Sequence, residues 1–400
     1  MEKEYEISWR LSQDNKWVSL SVKNSENDPE RNQEEKDILK RFLLSSMQMQ
    51  NIVVLAGSGT SMSGKDGPKM GPSMSDLWEL CTKEGDSYSS EAKEVFGTVR
   101  YKYEEKQNFE ELLSLCEAVL QIDNDNTGIV KKFVSNSKER ILKRCNYKKT
   151  NETLASHQIF LHKLSRRRTR DSRLKLFTTN YDTCFEEAAS KTGIVVIDGF
   201  SFTKPRHYDP RFFDFDIVRR TSNSQKIDSY LEGVFQLYKL HGSVNWEREK
   251  NVIIEKEATP EGVCMIFPAR GKYQQSYIQP HLEIMARYLA ALREPNTCII
   301  VTGFGFNDAH LAEPIISAIK TNPHLKVIIS DYNAKNNLID KNTKCNPVWN
   351  ELYQLAEEGS DVAFINASFK DFSKLIPDLS SLSPAEKMAQ AVKSIVGDAE

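Results

Sequence analysis

Five apolar runs in this chain end in residues able to handle a sugar or a phosphate. "NIVVLAGSGTS" passes from Ala56 into Gly57, Ser58, Gly59, Thr60 and Ser61, and "LFTTNYD" ends in Thr179, Asn180 and Asp182. "YKLHGSVNW" ends in His241 and Gly242, "CIIVTGFGF" in Gly303, Phe304 and Gly305, and "LKVIISD" in Asp331 with Asn333 beyond it. Small residues after a buried strand let backbone N–H groups approach a pyrophosphate. An amide and an imidazole supply what proton transfer to or from water or a ribose hydroxyl needs. A carboxylate at a strand end can accept both hydroxyls of a ribose.

Singly, these endings have plainer readings. The first turn has two glycines of a GxGxxG fingerprint, but Met62 takes the third position and no strand with a terminal acid follows about twenty residues on. No Gly-Lys-Ser/Thr occurs there, so the Walker pattern fails too. The turn is either ordinary strand-to-helix chemistry or a phosphate site at a helix N-terminus. Asn307 and Asp308 read as the start of a helix, with the acid near the positive end of its dipole. A single histidine after an apolar run is more often a core residue than a catalyst, and Asp331 alone reads equally well as a turn former.

The elements that must hold these residues follow from periodicity. "LKLFTTN", "GIVVIDGF", "FQLYKLHG", "NVIIEK", "VCMIFP", "CIIVTGFGF", "LKVIISD" and "DVAFINASF" read as strands, several of them continuously apolar. Such runs are covered on both faces by helices, which predicts a parallel, doubly wound sheet with its ligand beyond the carboxyl ends. From about residue 75 to 170 the pattern turns helical in "SDLWELC", "FEELLSLCEAVL", "IVKKFVSNSKERILKRC" and "ASHQIFLHKLSRR". "YEISWRL" and "WVSLSVK" flank a turn and predict a β-hairpin, placed with its polar linker in residues 1–33 as an appendage outside the main sheet. A catalytic domain over 34–380 and a terminal helix in 381–400 complete the expected organisation.

Composition removes other classes. The 400 residues carry 54 Lys+Arg and 56 Asp+Glu, so no global field recruits nucleic acid or an anionic membrane. No apolar run reaches membrane-spanning length and the N-terminus lacks a signal-peptide core, which places the protein in the cytosol. The seven cysteines are all at least 29 positions apart, so no CxxC pair starts a zinc site and no metal centre is expected. "SRRRTRDSRLK" reads as a solvated loop rather than a phosphate contact, and the aromatic "FSFTKPRHYDPRFFDFD" as either a lid or a packed loop.

As an ordered set between Asn51 and Asn333, the Gly turn, TxNxD, LHG and second Gly turn resemble the cofactor motifs of the sirtuin family. The resemblance implies a Rossmann-like sheet of sirtuin type carrying the helical insertion and the hairpin. It matches His241 to the family's catalytic histidine and Asn180, Tyr181 and Asp182 to its nicotinamide-pocket run, with Thr179 where Gln is usual. By the same resemblance Asp182 holds the nicotinamide carboxamide and Asn180 orders a ribose hydroxyl or water. Thr179 and the segments Ala56–Ser61, Gly303–Gly305 and Asp331/Asn333 would complete the NAD site.

Sirtuin deacylases carry two CxxC pairs between the His motif and the second Gly turn, where this chain has only Cys264 and Cys298. That departure is similar to the zinc-free sirtuin-like domains of bacterial antiviral systems. It implies hydrolysis of NAD to ADP-ribose and nicotinamide by a regulated homo-oligomer in anti-phage defence, controlled by a second protein such as a HerA-type ATPase. An NAD- or ADP-ribose-binding subunit without turnover, or an NAD-dependent protein deacylase, is the alternative.

Overall fold

The computed structural model describes residues 7–12, 16–20, 29–62, 70–122, 128–168, 171–220, 229–256, 262–268, 278–339 and 346–378. The helix expected in 381–400 and Cys345 lie outside the described residues.

Apolar runs with no polar face must be covered on both sides, and they assemble here into one sheet of nine strands. From one edge its order is Val18–Ser19, Ser8–Arg10, Val362–Asn366, Leu325–Asp331, Thr297–Thr302, Asn51–Ala56, Leu174–Thr178, Val234–Lys239 and Val195–Ile197. The seven strands from Val362–Asn366 onward are parallel. Residues of Asn51–Ala56 alternate between two cores, Val53 and Leu55 on one face, Ile52, Val54 and Ala56 on the other. Helices His281–Arg293, Ala309–Thr321 and Pro347–Glu357 cover the first face. The second is covered by Pro29–Met47, Asn151–Ser165, Cys184–Thr192 and Phe369–Leu375. The expected α/β, doubly wound architecture is present.

Four details differ from the sequence reading. The hairpin is not an appendage: its first strand pairs antiparallel with Val362–Asn366, Trp9 opposite Ile365, and Trp9 is buried in the second core. "NVIIEK" and "VCMIFP" leave the main sheet and flank Gly242–Glu249 in a separate three-stranded antiparallel sheet. The helical insertion ends at Cys145 rather than near 170, since Asn151–Ser165 packs on the main sheet. The arginine stretch is partly structural: Arg167 is buried and donates to the carbonyls of Met47, Met49, Gln50 and Ser172. The aromatic loop is a packed one, with Phe200 and Phe213 in the first core. No helix among the described residues is long and apolar enough to cross a membrane.

The strand order reverses between Asn51–Ala56 and Thr297–Thr302, where ligands bind in open α/β sheets. There the two Gly turns touch. A Cβ on Gly57 would lie 2.5 Å from the Gly303 carbonyl oxygen, and one on Gly303, at φ +60°, would lie 2.6 Å from the Thr60 nitrogen. Gly193 has a similar φ of +69° but open space around it. Gly193→Ala is therefore expected to cost about 1 kcal/mol from backbone conformation alone. Gly303→Ala should cost at least about 2 kcal/mol more through overlap with the facing turn. Urea unfolding of the two variants makes the comparison, and equal losses would refute the contact.

His157 gives a second test. It lies wholly buried between Phe185 and Phe369, neither ring nitrogen has a hydrogen-bond partner among the described residues, and burial lowers its pKa to about 4. The unfolded chain, titrating near 6.5, then binds a proton that the folded chain refuses, so stability falls as pH drops from 6.5 toward 4. His157→Phe should raise stability at pH 7 and remove about 3 kcal/mol of that acid sensitivity. Denaturant unfolding at pH 7 and pH 4.5 reads both effects, and an unchanged pH slope would refute them.

Candidate active site

The strand ends that carry the chemistry lie in one row. Thr302 is in register with Ala56, Ala56 with Thr178, and Thr178 with Lys239, so each motif leaves the sheet at the same height. Beyond the row, a cleft is lined by Ser58, Ser61, Thr179, Asn180, Asp182, His241, Gly303, Phe304 and Gly305 among the residues expected from sequence. Ala56, Gly57 and Thr60 are not in its wall. Ala56 ends the buried strand, Gly57 faces Gly303, and Thr60 is buried behind the turn. Asp331 and Asn333 are not brought into the cleft either. Asp331 sits one strand beyond Gly303, accepts from the Asn333 N–H at 2.8 Å, and burial raises its carboxyl pKa.

The first Gly turn does not start an α-helix. It closes as a single 3₁₀ turn over Ser58–Thr60, and the N–H groups of Gly59, Thr60 and Ser61 are already engaged. Gly59 donates to the Gly303 carbonyl (2.9 Å), Thr60 to Gly57 (3.0 Å) and Ser61 to Ser58 (3.0 Å). The next helix is Met74–Thr82, started by a capping box in which Ser73 and Asp76 exchange hydrogen bonds. The turn's hydroxyls point to another task. Thr60 Oγ1 donates to the Gly57 carbonyl (2.8 Å), so it must accept from Asn180 Nδ2 (3.0 Å), which also donates to Ser61 Oγ (2.9 Å). Both amide hydrogens of Asn180 are thereby used, and Oδ1 is the atom it has left to offer a ligand.

The loop after Leu174–Thr178 is held by a buried cation that sequence reasoning passed over. Lys239 is 2% exposed, yet its Nζ donates to the carbonyls of Asp182 and Tyr181 and to Glu186 Oε1 (3.0 Å). Burial works against ionisation of Asp182, but the Lys239 ammonium, the Ser61 hydroxyl and the Cys184 N–H together hold its carboxyl below the usual range. Asp182 is therefore an anion in the cleft wall. Burial acts likewise on Glu186 and raises it despite the same lysine. The signal for Lys239 was its place two residues before His241 at the end of a mostly apolar strand.

His241 follows on that same strand and is 4% exposed. Its carbonyl accepts from Ile266, while the next residue, Gly242, packs on Cys264 with no room for a Cβ. His281, whose pKa burial lowers to about 4, donates from Nδ1 to the Leu240 carbonyl at 3.1 Å. The imidazole of His241 lies 3.9 Å from the Asp308 carboxylate. Asp308 and Asn307, read from sequence only as a helix start, line the cleft, as do Tyr181 and Pro268. The insertion supplies a further wall through Met74, Leu77, Glu110 and Cys145. Glu110, Asp182 and Asp308 make the lining acidic, and it contains no lysine or arginine among the described residues.

Residues 174–354 match the family model of the SIR2-like domain. The matched segment runs from the strand that precedes Asn180 past the second Gly turn, and leaves out the first turn and the insertion. It supports a sirtuin-like domain here, and SIR2-like domains are in general NAD-dependent enzymes. No match to the chain is found among curated proteins. Among the described residues no group of three or more His, Cys, Asp or Glu is placed to hold a metal ion.

Removing the buried cation gives the test of this site's construction. Lys239→Met leaves the partly buried Glu186 carboxyl and two carbonyls without their partner, and is expected to destabilise the fold by about 3 kcal/mol. A loss under about 1 kcal/mol on chemical denaturation would show that Lys239 is not holding the loop.

Proposed function

We propose that the chain hydrolyses NAD to ADP-ribose and nicotinamide. The observation that carries this reading is the meeting of Asn180, Asp182 and His241 in one acidic cleft, at the strand ends beside the switch point of a sheet, within or beside the segment 174–354 that matches a SIR2-like domain. NAD fits the residues present. The nicotinamide ring is cationic and the ribose becomes oxocarbenium-like as the C–N bond breaks, so a lining with three carboxyl groups and, among the described residues, no lysine or arginine suits that end of the molecule.

The residues then divide the work. Asp182, kept ionised, accepts hydrogen bonds from the carboxamide. Asn180 Oδ1 accepts from a ribose hydroxyl or from the attacking water, held in place by the two hydroxyls behind it. Nicotinamide leaves with the bonding electron pair as a neutral molecule, which needs little acid catalysis. Water adds to the ribose carbon, and His241 takes its proton, so NAD and water become ADP-ribose, nicotinamide and a proton. We further propose, on the sequence resemblance, a regulated NAD-depleting role in antiviral defence within a homo-oligomer and with a second protein controlling it.

Nicotinamide release from NAD by the purified full-length chain, with and without an acetylated peptide, tests the reaction. Release independent of peptide is expected, and release that requires the peptide would favour deacylation. Asn180→Ala and His241→Ala should each lower turnover by about a hundredfold or more while circular dichroism stays native. Near-normal turnover removes the residue concerned from the mechanism.

A further inference from the structure

The second Gly turn is built to put a carboxylate opposite His241. Phe306 has φ +57°, a left-handed backbone that a bulky residue keeps only where its surroundings impose it. Those surroundings are specific. The Phe306 ring is buried against Phe304 and Trp349, and Asn346 donates from Nδ2 to the Phe306 carbonyl at 2.6 Å. The Oδ1 of Asn346 accepts from Val348 and starts helix Pro347–Glu357, so the turn is tied to a rigid element.

Asp308 leaves this turn at the N-cap position of helix Ala309–Thr321. Its side chain makes no capping hydrogen bond there, although that is the usual use of an aspartate at such a position. Its Oδ2 instead lies 3.9 Å from His241 Nε2. Other ionisable groups near the imidazole among the described residues include His310, with ring centres 5.9 Å apart, and Tyr181, at 6.4 Å, with Asp182, Glu110 and Cys145 in the same cleft wall.

We propose that Asp308 is the positioning residue for His241: the strained turn presents its carboxylate to orient the imidazole and to stabilise its protonated form. The proposal deepens the reading of His241 as the base, and rests on it for the kinetic consequence. In a buried site a carboxylate this close makes imidazole a stronger base, so the proton taken from water is held better as the bond to ribose forms. At 3.9 Å the pair is a charge coupling rather than a direct hydrogen bond, a spacing common in sites awaiting substrate.

Asp308→Asn keeps the shape and removes the charge, and Asp308→Glu keeps the charge. For Asp308→Asn, kcat for nicotinamide release is expected to fall about tenfold to a hundredfold with KM changed less than about threefold. The acid limb of the pH profile should move down by about one pH unit, because a neutral neighbour no longer favours the imidazolium. Asp308→Glu should recover part of kcat and return the limb toward its original position. Wild-type kcat and an unmoved limb in Asp308→Asn would overturn the proposal.

Titration of the histidine side chains by NMR in the full chain, with His241→Ala identifying the signal, reads the coupling without turnover. A His241 midpoint unchanged to within about 0.2 pH unit in Asp308→Asn would also overturn it. A native chain that releases no nicotinamide in any form would count against the NAD reaction, while the NMR result still decides the role of Asp308.

Discussion

The contact between two glycine turns sets the geometry on which everything else depends. Gly57 and Gly59 face Gly303 with backbone against backbone, closed by hydrogen bonds from Gly57 to Thr302 and from Gly59 to Gly303. No side chain can be accommodated between them. The strands beneath, Asn51–Ala56 and Thr297–Thr302, are neighbours at the point where the sheet changes direction, so a gap between their turns would move the cleft walls apart. Thr60 and Ser61, which hold the Asn180 amide, hang from one turn, and Asp308, beside His241, from the other. The glycines thus serve the joining of two loops before they serve any ligand.

Around this contact the polar groups are arranged so that few can rearrange. The Asn180 amide has one orientation because the Thr60 proton is already committed to a carbonyl. Lys239 gathers two carbonyls and Glu186, and Lys149, equally buried, holds Thr183 and Glu187 on the other side of the same short helix. Burying two ammonium groups is costly unless each is fully engaged, and such pairs add little net stability compared with apolar packing. What they supply is a fixed loop. A site that stabilises a developing cation needs its dipoles and charges placed beforehand, since reorganisation during the reaction would cost what the charges provide.

Much of this was legible in the sequence because it is written locally. Buried parallel strands read as apolar runs, and Asn180, Asp182, His241 and the second Gly turn stand immediately after them, so the residues and the row they form could be read together. What was not legible depends on pairing between distant segments. The hairpin looked detached because its partner strand is some 350 residues away, Trp9 opposite Ile365. Arg167 looked solvated because its acceptors are carbonyls, which carry no signal in sequence. Asp331 and Asn333 stand at the end of the strand next to that of the second Gly turn and lie outside the lining of the cleft, a lateral placement that periodicity does not encode.

Asp308 was hidden for a different reason. An aspartate before a helix has a sufficient local explanation as a cap, and only the absence of that bond reveals its other use. The insertion poses the same problem at larger scale. Its helices form a core of their own around Trp78, Phe96, Phe109 and Phe133, but Val244 and Met265 from the small antiparallel sheet, with Phe267 just beyond it, complete that core. The sheet's first strand begins at Gly242, directly after His241, and the insertion itself places Leu77, Glu110 and Cys145 in the cleft. Lobe and site share both a wall and a strand. The packing of the insertion and the shape of the cleft therefore depend on each other through the chain at His241, because close-packed interiors transmit displacement instead of absorbing it.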